Sequence, residues 1–171
     1  EDLDRLIRFL RQCRTHEACL NALIQQYPEN PALRFKQGFI YEGQRKIRQA
    51  ISSYEKVLSM MPASDRQIYL LAIKHLANCR LRTGGVEKAM ELFARGARLA
   101  PEDHAFSYQL AALHAYRGNT EACLKWLEKA ADAGFDDMDR LSSDTRFNTV
   151  RGTENFRKLK DRIRSSTDQR R

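Results

Sequence analysis

The stretch Ile68–Pro101 constrains the fold most, because it predicts two amphipathic helices joined by a tight turn. Apolar residues recur at helical spacing on both sides of the turn, which falls at Thr83-Gly84-Gly85. Pro101 ends the second helix, since proline has no N–H to donate within a helix. A single hairpin cannot bury the apolar faces of both helices, so this one requires similar hairpins before and after it.

The preceding segment repeats this plan at the same spacing. Gly38 precedes Pro62 by 24 residues, and Ala77 precedes Pro101 by the same 24 residues. At two of the three matching sites between these anchors the side chains are of the same type, small at one and aromatic at the other. The matched residues are Ala50 with Ala89, Tyr54 with Phe93, and Val57 with Gly96.

A third copy covers Glu102–Ala133, with Ala111 at the small mid-helix position and Gly118 in the turn. Its later positions are taken by Cys123, Leu127 and Ala130. The alternation of apolar and polar residues that is typical of strands is absent, and the hydrophobic share of 42% with 30% charged residues is that of a globular protein. The sequence therefore predicts an all-α fold. No apolar run approaches the roughly 20 residues that span a bilayer, so no membrane span is expected.

The shared pattern is small–x–x–aromatic, a turn glycine, Ala–x–x–x–aromatic–x–x–small and then proline, and it resembles the tetratricopeptide repeat (TPR). The small residues would allow close helix crossing, and the aromatic residue would fill the space between neighbouring helices. The resemblance implies an α-solenoid of antiparallel helical hairpins, a TPR-like right-handed superhelix. One TPR-like domain over 1–171 is expected, with a degenerate N-terminal hairpin (1–30), three repeats (31–63, 64–101 and 102–133), C-terminal capping helices (134–165) and a frayed basic tail (166–171).

The C-terminal part departs from the repeat but resembles the closing segment of many TPR proteins, often bacterial ones. Solenoids need such a cap, because the last repeat otherwise leaves an apolar face in solvent. The apolar residues predicted to cover that face are Leu141, Phe147, Val150, Phe156, Leu159 and Ile163.

In this family the first helix of each hairpin lines a concave groove, so the resemblance also implies a partner-binding site. The groove residues it implies are Phe35, Phe39, Glu42, Lys74, His75, Asn78, Arg82, Tyr108, Gln109, Ala112 and Tyr116. Lys74 and Asn78 have the spacing with which some TPR domains clamp a terminal carboxylate, and Gln109 stands where that clamp has an asparagine. As an alternative, the groove could be filled by the chain's own N-terminal hairpin.

Catalytic and metal-binding motifs are absent from the sequence, so a non-enzymatic protein without a cofactor is expected. His75 and Cys79 could present two metal ligands on one helix face, but no further ligands are evident. The four cysteines form no C-x-x-C pair and are interpreted as small buried side chains in a reducing compartment, which favours a cytoplasmic location. A disulfide between Cys13 and Cys19 is the alternative.

The predicted function is a scaffold or adaptor that binds a peptide or helical segment of another protein in the groove. One alternative is an assembly or self-association region of a larger protein, since the chain begins with Glu1 and not with methionine. Another is a contact of the basic C-terminal tail with acidic partners or nucleic acid. Nucleic acid is the weaker choice, because no exposed aromatic residues are interleaved with the cations. The cations are Arg157, Lys158, Lys160, Arg162 and Arg164.

Overall fold

A computed structural model describes residues 16–60 and 66–168 of the chain. These residues form α-helices, one 3₁₀ turn and short connections, with no β-strand among them, so the predicted all-α class is confirmed. The helices are α1 (His16–Gln26), α2 (Pro31–Gly43), α3 (Ile47–Met60), α4 (Arg66–Arg82), α5 (Val86–Leu99), α6 (His104–Tyr116), α7 (Thr120–Asp132), α8 (Met138–Ser143) and α9 (Glu154–Asp168), with the 3₁₀ turn η1 (Thr145–Phe147) before α9.

The chain divides into two compact units, Glu1–Ala89 and Met90–Arg171, with the boundary inside α5. In the first unit, α2 and α3 form an antiparallel hairpin, α1 packs against α2, and α4 packs against α3. In the second unit, α6 and α7 form the corresponding hairpin, and α9 packs against α7. The single-domain assignment and the repeat boundaries stay predictions, and the first part of the predicted N-terminal hairpin (1–30) lies outside the described residues.

Two small positions of the repeat each lie against a buried aromatic ring of a neighbouring helix. Gly38 lies directly against the ring of Tyr54, and a Cβ atom added at Gly38 would stand 2.7 Å from its Cε1 atom. Gly96 lies against the ring of Phe106 in the same way. Both rings are buried, so the glycines allow the close helix approach that the repeat pattern predicts. The other matched positions are also buried: Ala50, Val57, Ala77, Ala89, Phe93, Ala111, Cys123, Leu127 and Ala130.

One left-handed residue closes each of the three hairpin turns. Gly84 and Gly118 have φ angles of 81° and 73°, as expected for turn glycines. The first hairpin has Arg45 at this position, with φ of 60°. The N–H of Lys46 then donates to the carbonyl oxygen of Tyr41 at 2.8 Å, a bond that recurs in the other two turns. The three turns are therefore the same structure, although only two of them contain glycine at the left-handed position.

The C-terminal segment covers α6 and α7 in the second unit. A single apolar cluster joins residues of these two helices with residues of α8, η1 and α9. All six residues predicted to cover the last repeat lie in this cluster and are buried: Leu141, Phe147, Val150, Phe156, Leu159 and Ile163.

The cysteines do not all match the interpretation as reduced thiols. Cys79 and Cys123 are free and buried, and burial, followed by the nearby Glu42 carboxylate, raises the pKa of Cys79 to about 11. Cys19, however, is disulfide-bonded, so the interpretation is wrong for this residue. Cys13 lies outside the described residues. Sequence spacing could not decide this point, because a disulfide depends on the distance and direction of two Cβ atoms. Disulfides persist mainly in oxidising compartments, so Cys19 gives the predicted cytoplasmic location no support.

Candidate functional site

Two helical faces of the first unit come together at the predicted groove. On α2, the residues four and seven positions after Phe35 lie on the same side of the helix as Phe35. On α4, the residues four, seven and eleven positions after Leu71 lie on the same side as Leu71. Ring contacts and hydrogen bonds join the two sides. We call this surface the α2–α4 face, and it consists of Phe35, Phe39, Glu42, Leu71, His75, Asn78 and Arg82.

His75 is the centre of the α2–α4 face. Its ring lies edge-on to Phe35 and Phe39, with centroids 5.5 and 5.7 Å away. Below it, the buried ring of Tyr54 is 5.4 Å distant. Three aromatic neighbours thus fix the position of the imidazole, and the sequence indicated two of them as groove residues.

Glu42 binds three side chains of this region. Its Oε2 atom accepts a hydrogen bond from the hydroxyl of Tyr54 at 3.0 Å and lies 2.8 Å from Nδ1 of His75. An ionised carboxylate can only accept, so Nδ1 carries the proton. The Oε1 atom lies 3.8 Å from Nη1 of Arg82. Burial, followed by the hydrogen bond to Glu42, raises the pKa of Tyr54, which therefore remains a neutral donor.

The α2–α4 face has an apolar end that is open to solvent. Phe39 is 50% exposed and Leu71 is 38% exposed, whereas most other large apolar side chains of the described residues are covered. Leu71 precedes His75 by one helical turn, so the two apolar side chains flank the imidazole. The sequence did not single out Leu71, although its spacing to His75 was the available signal. Asn78 and Arg82 are exposed further along α4.

The predicted groove residues of the second unit are placed differently. Tyr108 and Ala112 are fully buried, because the C-terminal segment covers the side of α6 on which they lie. The Tyr108 ring packs against Phe135 and Phe147, with centroids 4.6 and 5.7 Å away. Neither Tyr108 nor Ala112 is accessible to a partner in this structure. Tyr116, at the end of α6, is 67% exposed.

Asp144 and Arg146 of the C-terminal segment were not predicted as partners of α6. The hydroxyl of Tyr108 donates to Asp144 Oδ2 at 3.0 Å, and Arg146 Nη1 donates to Gln109 Oε1 at 2.8 Å. Gln109, which the clamp resemblance would use for a carboxylate, is therefore engaged within its own unit. Lys74 and Asn78 do lie one turn apart on α4, as the clamp requires, and their role remains a prediction.

The described part of the N-terminal region does not lie on the α2–α4 face. Gln37 Nε2 on α2 donates to Asn21 Oδ1 at 2.9 Å, and Gln44 Nε2 donates to Glu17 Oε2 at 2.9 Å. At 100° per residue, Gln37 and Gln44 stand on the other side of α2 from Phe39. Helix α1 thus packs away from the face. The alternative that the N-terminal hairpin (1–30) fills the groove stays a prediction, because the first part of that hairpin lies outside the described residues.

The basic residues of α9 are divided between two sides of the helix. Arg157, Lys160 and Arg164 follow helical spacing on one side. Lys158 lies 2.6 Å from Glu154, and Arg162 lies 3.5 Å from the Asp132 carboxylate. The use of these five cations as a contact surface stays a prediction.

The described residues contain neither a metal-binding cluster nor a membrane-spanning helix. Among the side chains of residues 17–60 and 66–165, no three His, Cys, Asp or Glu come together in a way that could hold a metal ion. Cys79 is buried, and Nδ1 of His75 is bonded to Glu42. Among the helices described, none is both long enough and apolar enough to cross a bilayer.

Comparisons with known proteins place the fold. No family model matches the sequence, and no curated protein is significantly similar to it. The crystal structure of MamA matches with a TM-score of 0.68 and 14% identity, over 88% of this chain and 84% of that chain. The structure of MamA 41-end from Desulfovibrio magneticus RS-1 matches with a TM-score of 0.63 and 18% identity, over 96% of this chain and 94% of that chain. The chain therefore has the fold of a TPR-like α-solenoid, as the sequence predicts.

Proposed function

We propose that this chain is a non-enzymatic protein of the TPR type that binds a segment of a partner protein on the α2–α4 face. One observation carries the proposal: Phe39 and Leu71 each expose apolar surface next to His75, on a face whose Glu42 and His75 side chains are bonded to each other. TPR domains are interaction modules, and the shared fold with MamA fits that family.

The exposed apolar surface is costly without a partner. Burying a Phe or Leu side chain fully is worth about 1.5–3 kcal/mol, so even the exposed parts of two such residues would supply useful binding energy. Any rearrangement of the receiving surface would cost free energy and so reduce the binding energy that a partner gains. A surface that is already fixed avoids this cost. The α2–α4 face is fixed in this sense. The ring contacts of His75 and the two hydrogen bonds and one ion pair of Glu42 hold the side chains next to Phe39 in one arrangement.

The same side chains do not support catalysis. The pair Glu42–His75 resembles a base with its orienting group, but the hydroxyl next to the pair, that of Tyr54, is engaged as a donor to Glu42. Cys79, one turn from His75, is buried, and its raised pKa keeps the thiol protonated near neutral pH. We therefore assign the Glu42–His75 pair to positioning the face.

Quantitative affinity capture tests the proposal. The chain is immobilised as wild type and as the double variant Phe39→Ser with Leu71→Ser, and the proteins retained from a lysate of the source cells are compared. Tyr27→Ser is the matched control, because Tyr27 is 44% exposed but lies in the α1–α2 connection. We expect a specific set of proteins to bind the wild type and the control and to be lost from the double variant. Identical retention by all three proteins would disprove the assignment of the face, provided circular dichroism shows that each is folded.

A further inference from the structure

We propose that the α2–α4 face selects an extended acidic segment in which an acidic residue lies three to five positions from a large apolar residue. This inference rests on the proposed function, and it adds the chemistry of the partner. The apolar residue would pack on Phe39 and Leu71, and the acidic residue would bind Arg82.

Arg82 supplies the positive charge at one end of the α2–α4 face. Its guanidinium is exposed, and Nη1 lies 3.8 Å from Glu42, a loose pairing that involves one of five donors. Glu42 already accepts hydrogen bonds from Tyr54 and His75. Glu42 therefore already has donors for its oxygens, whereas Arg82 keeps exposed guanidinium donors, and a guanidinium can bind a carboxylate through two of them.

The surrounding charge favours the same kind of partner. Residues 16–89 contain eleven Lys or Arg and six Asp or Glu. Lys36 is exposed on α2, with its ammonium 5.9 Å from the centroid of the Phe39 ring. Positive charge therefore lies at the apolar end as well as at Arg82, and an acidic segment would be attracted along the whole face.

The length of α4 sets the spacing. Arg82 follows His75 by seven residues and Leu71 by eleven, which at 1.5 Å per residue places it about 10 to 16 Å along the helix. An extended chain rises about 3.3 Å per residue, so three to five residues cover this distance. Asn78 is exposed between the two ends, and its amide can bond to a peptide backbone that is extended and not helical.

The second unit places the same two side-chain types on the corresponding helix, although there they come from a 3₁₀ turn and not from an extended segment. There the inner side of α6 is covered by the chain's own segment, in which Asp144 bonds to the Tyr108 hydroxyl and Phe147, three residues later, packs on the Tyr108 ring. An acidic residue and an apolar residue three positions apart thus already occupy the corresponding helix of another repeat.

Selection from a phage-displayed library of random twelve-residue peptides tests the inference on the full chain. The targets are wild type, Phe39→Ser, Arg82→Glu and Arg48→Glu, the last being a control because Arg48 is exposed on α3. We expect wild type and Arg48→Glu to enrich Asp or Glu three to five positions from Leu, Ile, Phe, Tyr or Trp. Arg82→Glu should enrich Lys or Arg at that position, and Phe39→Ser should enrich nothing.

The outcomes separate the inference from the proposed function. The inference would be overturned if the selected peptides need Phe39 for binding but contain no preferred acidic residue. It would also be overturned if Arg82→Glu selects the same peptides as wild type. In both cases the α2–α4 face would still be a binding site. Enrichment at a spacing of seven or eleven residues would overturn the extended conformation in favour of a helix. Binding that is independent of Phe39 would overturn the proposed function itself. For the selected peptides, exchange of Glu for Gln should weaken binding to wild type about tenfold, and binding to Arg82→Glu should not weaken.

Discussion

The hydroxyl of Tyr108 donates a 3.0 Å hydrogen bond to Asp144, 36 residues later in the chain. Asp144 also accepts hydrogen bonds from the backbone N–H and the guanidinium of Arg146, and its carbonyl oxygen accepts one from Arg151. This carboxylate therefore fastens the C-terminal segment to α6, and it closes the inner side of the last repeat to other molecules.

Replacing Asp144 by Asn should loosen this attachment. We expect the free energy of unfolding at pH 7 to fall by about 1–3 kcal/mol, since hydrogen bonds to a charged, poorly exposed group are lost. Urea denaturation followed by circular dichroism measures the change. Asp161→Asn serves as the control, because Asp161 is exposed on α9. Equal stability of the two variants would show that Asp144 does not hold the segment.

The loss of unfolding free energy in Asp144→Asn should also depend on pH. Burial alone would raise the pKa of this carboxyl group, but the hydrogen bonds and the charge of Arg146 hold it below its usual value. A pKa that is lower in the folded state gives stability above the pKa of an unfolded aspartate, about 4, and this stability is lost as the pH falls through the folded value. The difference between wild type and Asp144→Asn should therefore be constant from pH 7 to pH 5 and shrink below pH 4. A constant difference down to pH 2 would contradict this assignment.

Two glycines of α2 should respond in opposite ways to the same substitution. Gly38→Ala puts a methyl group against the Tyr54 ring, so we expect a loss of about 1–3 kcal/mol from overpacking. Gly43→Ala meets no atom within 4 Å and should be neutral or stabilising by about 0.5–1 kcal/mol, because alanine restricts the unfolded chain. Thermal and urea denaturation of both variants decides the matter. If both substitutions had the same effect, the close contact of Gly38 with Tyr54 would not be limiting.

Arg45→Gly should stabilise the protein. Arg45 has a positive φ angle, which costs an L-residue other than glycine about 1–2 kcal/mol, and glycine removes most of that cost. Lys56→Gly, in the middle of α3, should instead destabilise by about 1 kcal/mol. Urea denaturation should show a higher midpoint than wild type for Arg45→Gly and a lower midpoint for Lys56→Gly. A loss of stability in Arg45→Gly would mean that the arginine side chain contributes more than the turn strain removes.

The free thiols should be unreactive in the folded protein. Burial raises the pKa of Cys123 to about 12 and, with Glu42, that of Cys79 to about 11, so little thiolate forms at pH 8. With a chromogenic disulfide reagent, Cys79→Ala and Cys123→Ala should leave the labelling of the folded protein unchanged, and each should lower the number of thiols that react after unfolding by one. Ser52→Cys, on the exposed side of α3, should react within the mixing time. Rapid native labelling of Cys79 would contradict the burial.

Local patterns were sufficient for the elements and for most of the core. The period of 3.6 residues, the turn glycines and the prolines predicted the hairpins, and the small positions at Gly38 and Ala77 were placed correctly because they recur at equal distances from proline. The turn at Arg45 was not indicated by composition. It forms because the helices on either side impose the same closing hydrogen bonds as in the turns that contain glycine.

The candidate site was less accessible to sequence reasoning, and the reason is distance along the chain. The repeat assigned Phe39 and Tyr108 alike to inner helix sides, but whether each is open depends on which remote segment covers it. Glu42 meets His75 across 33 residues, and Tyr108 meets Asp144 across 36. No spacing rule connects residues so far apart.

The sequence by itself determined an all-α chain of repeated hairpins, because helix periodicity and turn chemistry act over a few residues. Tertiary structure alone decided that Asp144 and Phe147 close the inner side of α6 while Phe39 and Leu71 remain open, because burial is a property of the packed chain. Tertiary structure also decided that Glu42 contacts Tyr54, His75 and Arg82. A carboxylate accepts hydrogen bonds from whichever donors the fold brings close to it, and these donors are far away in the sequence.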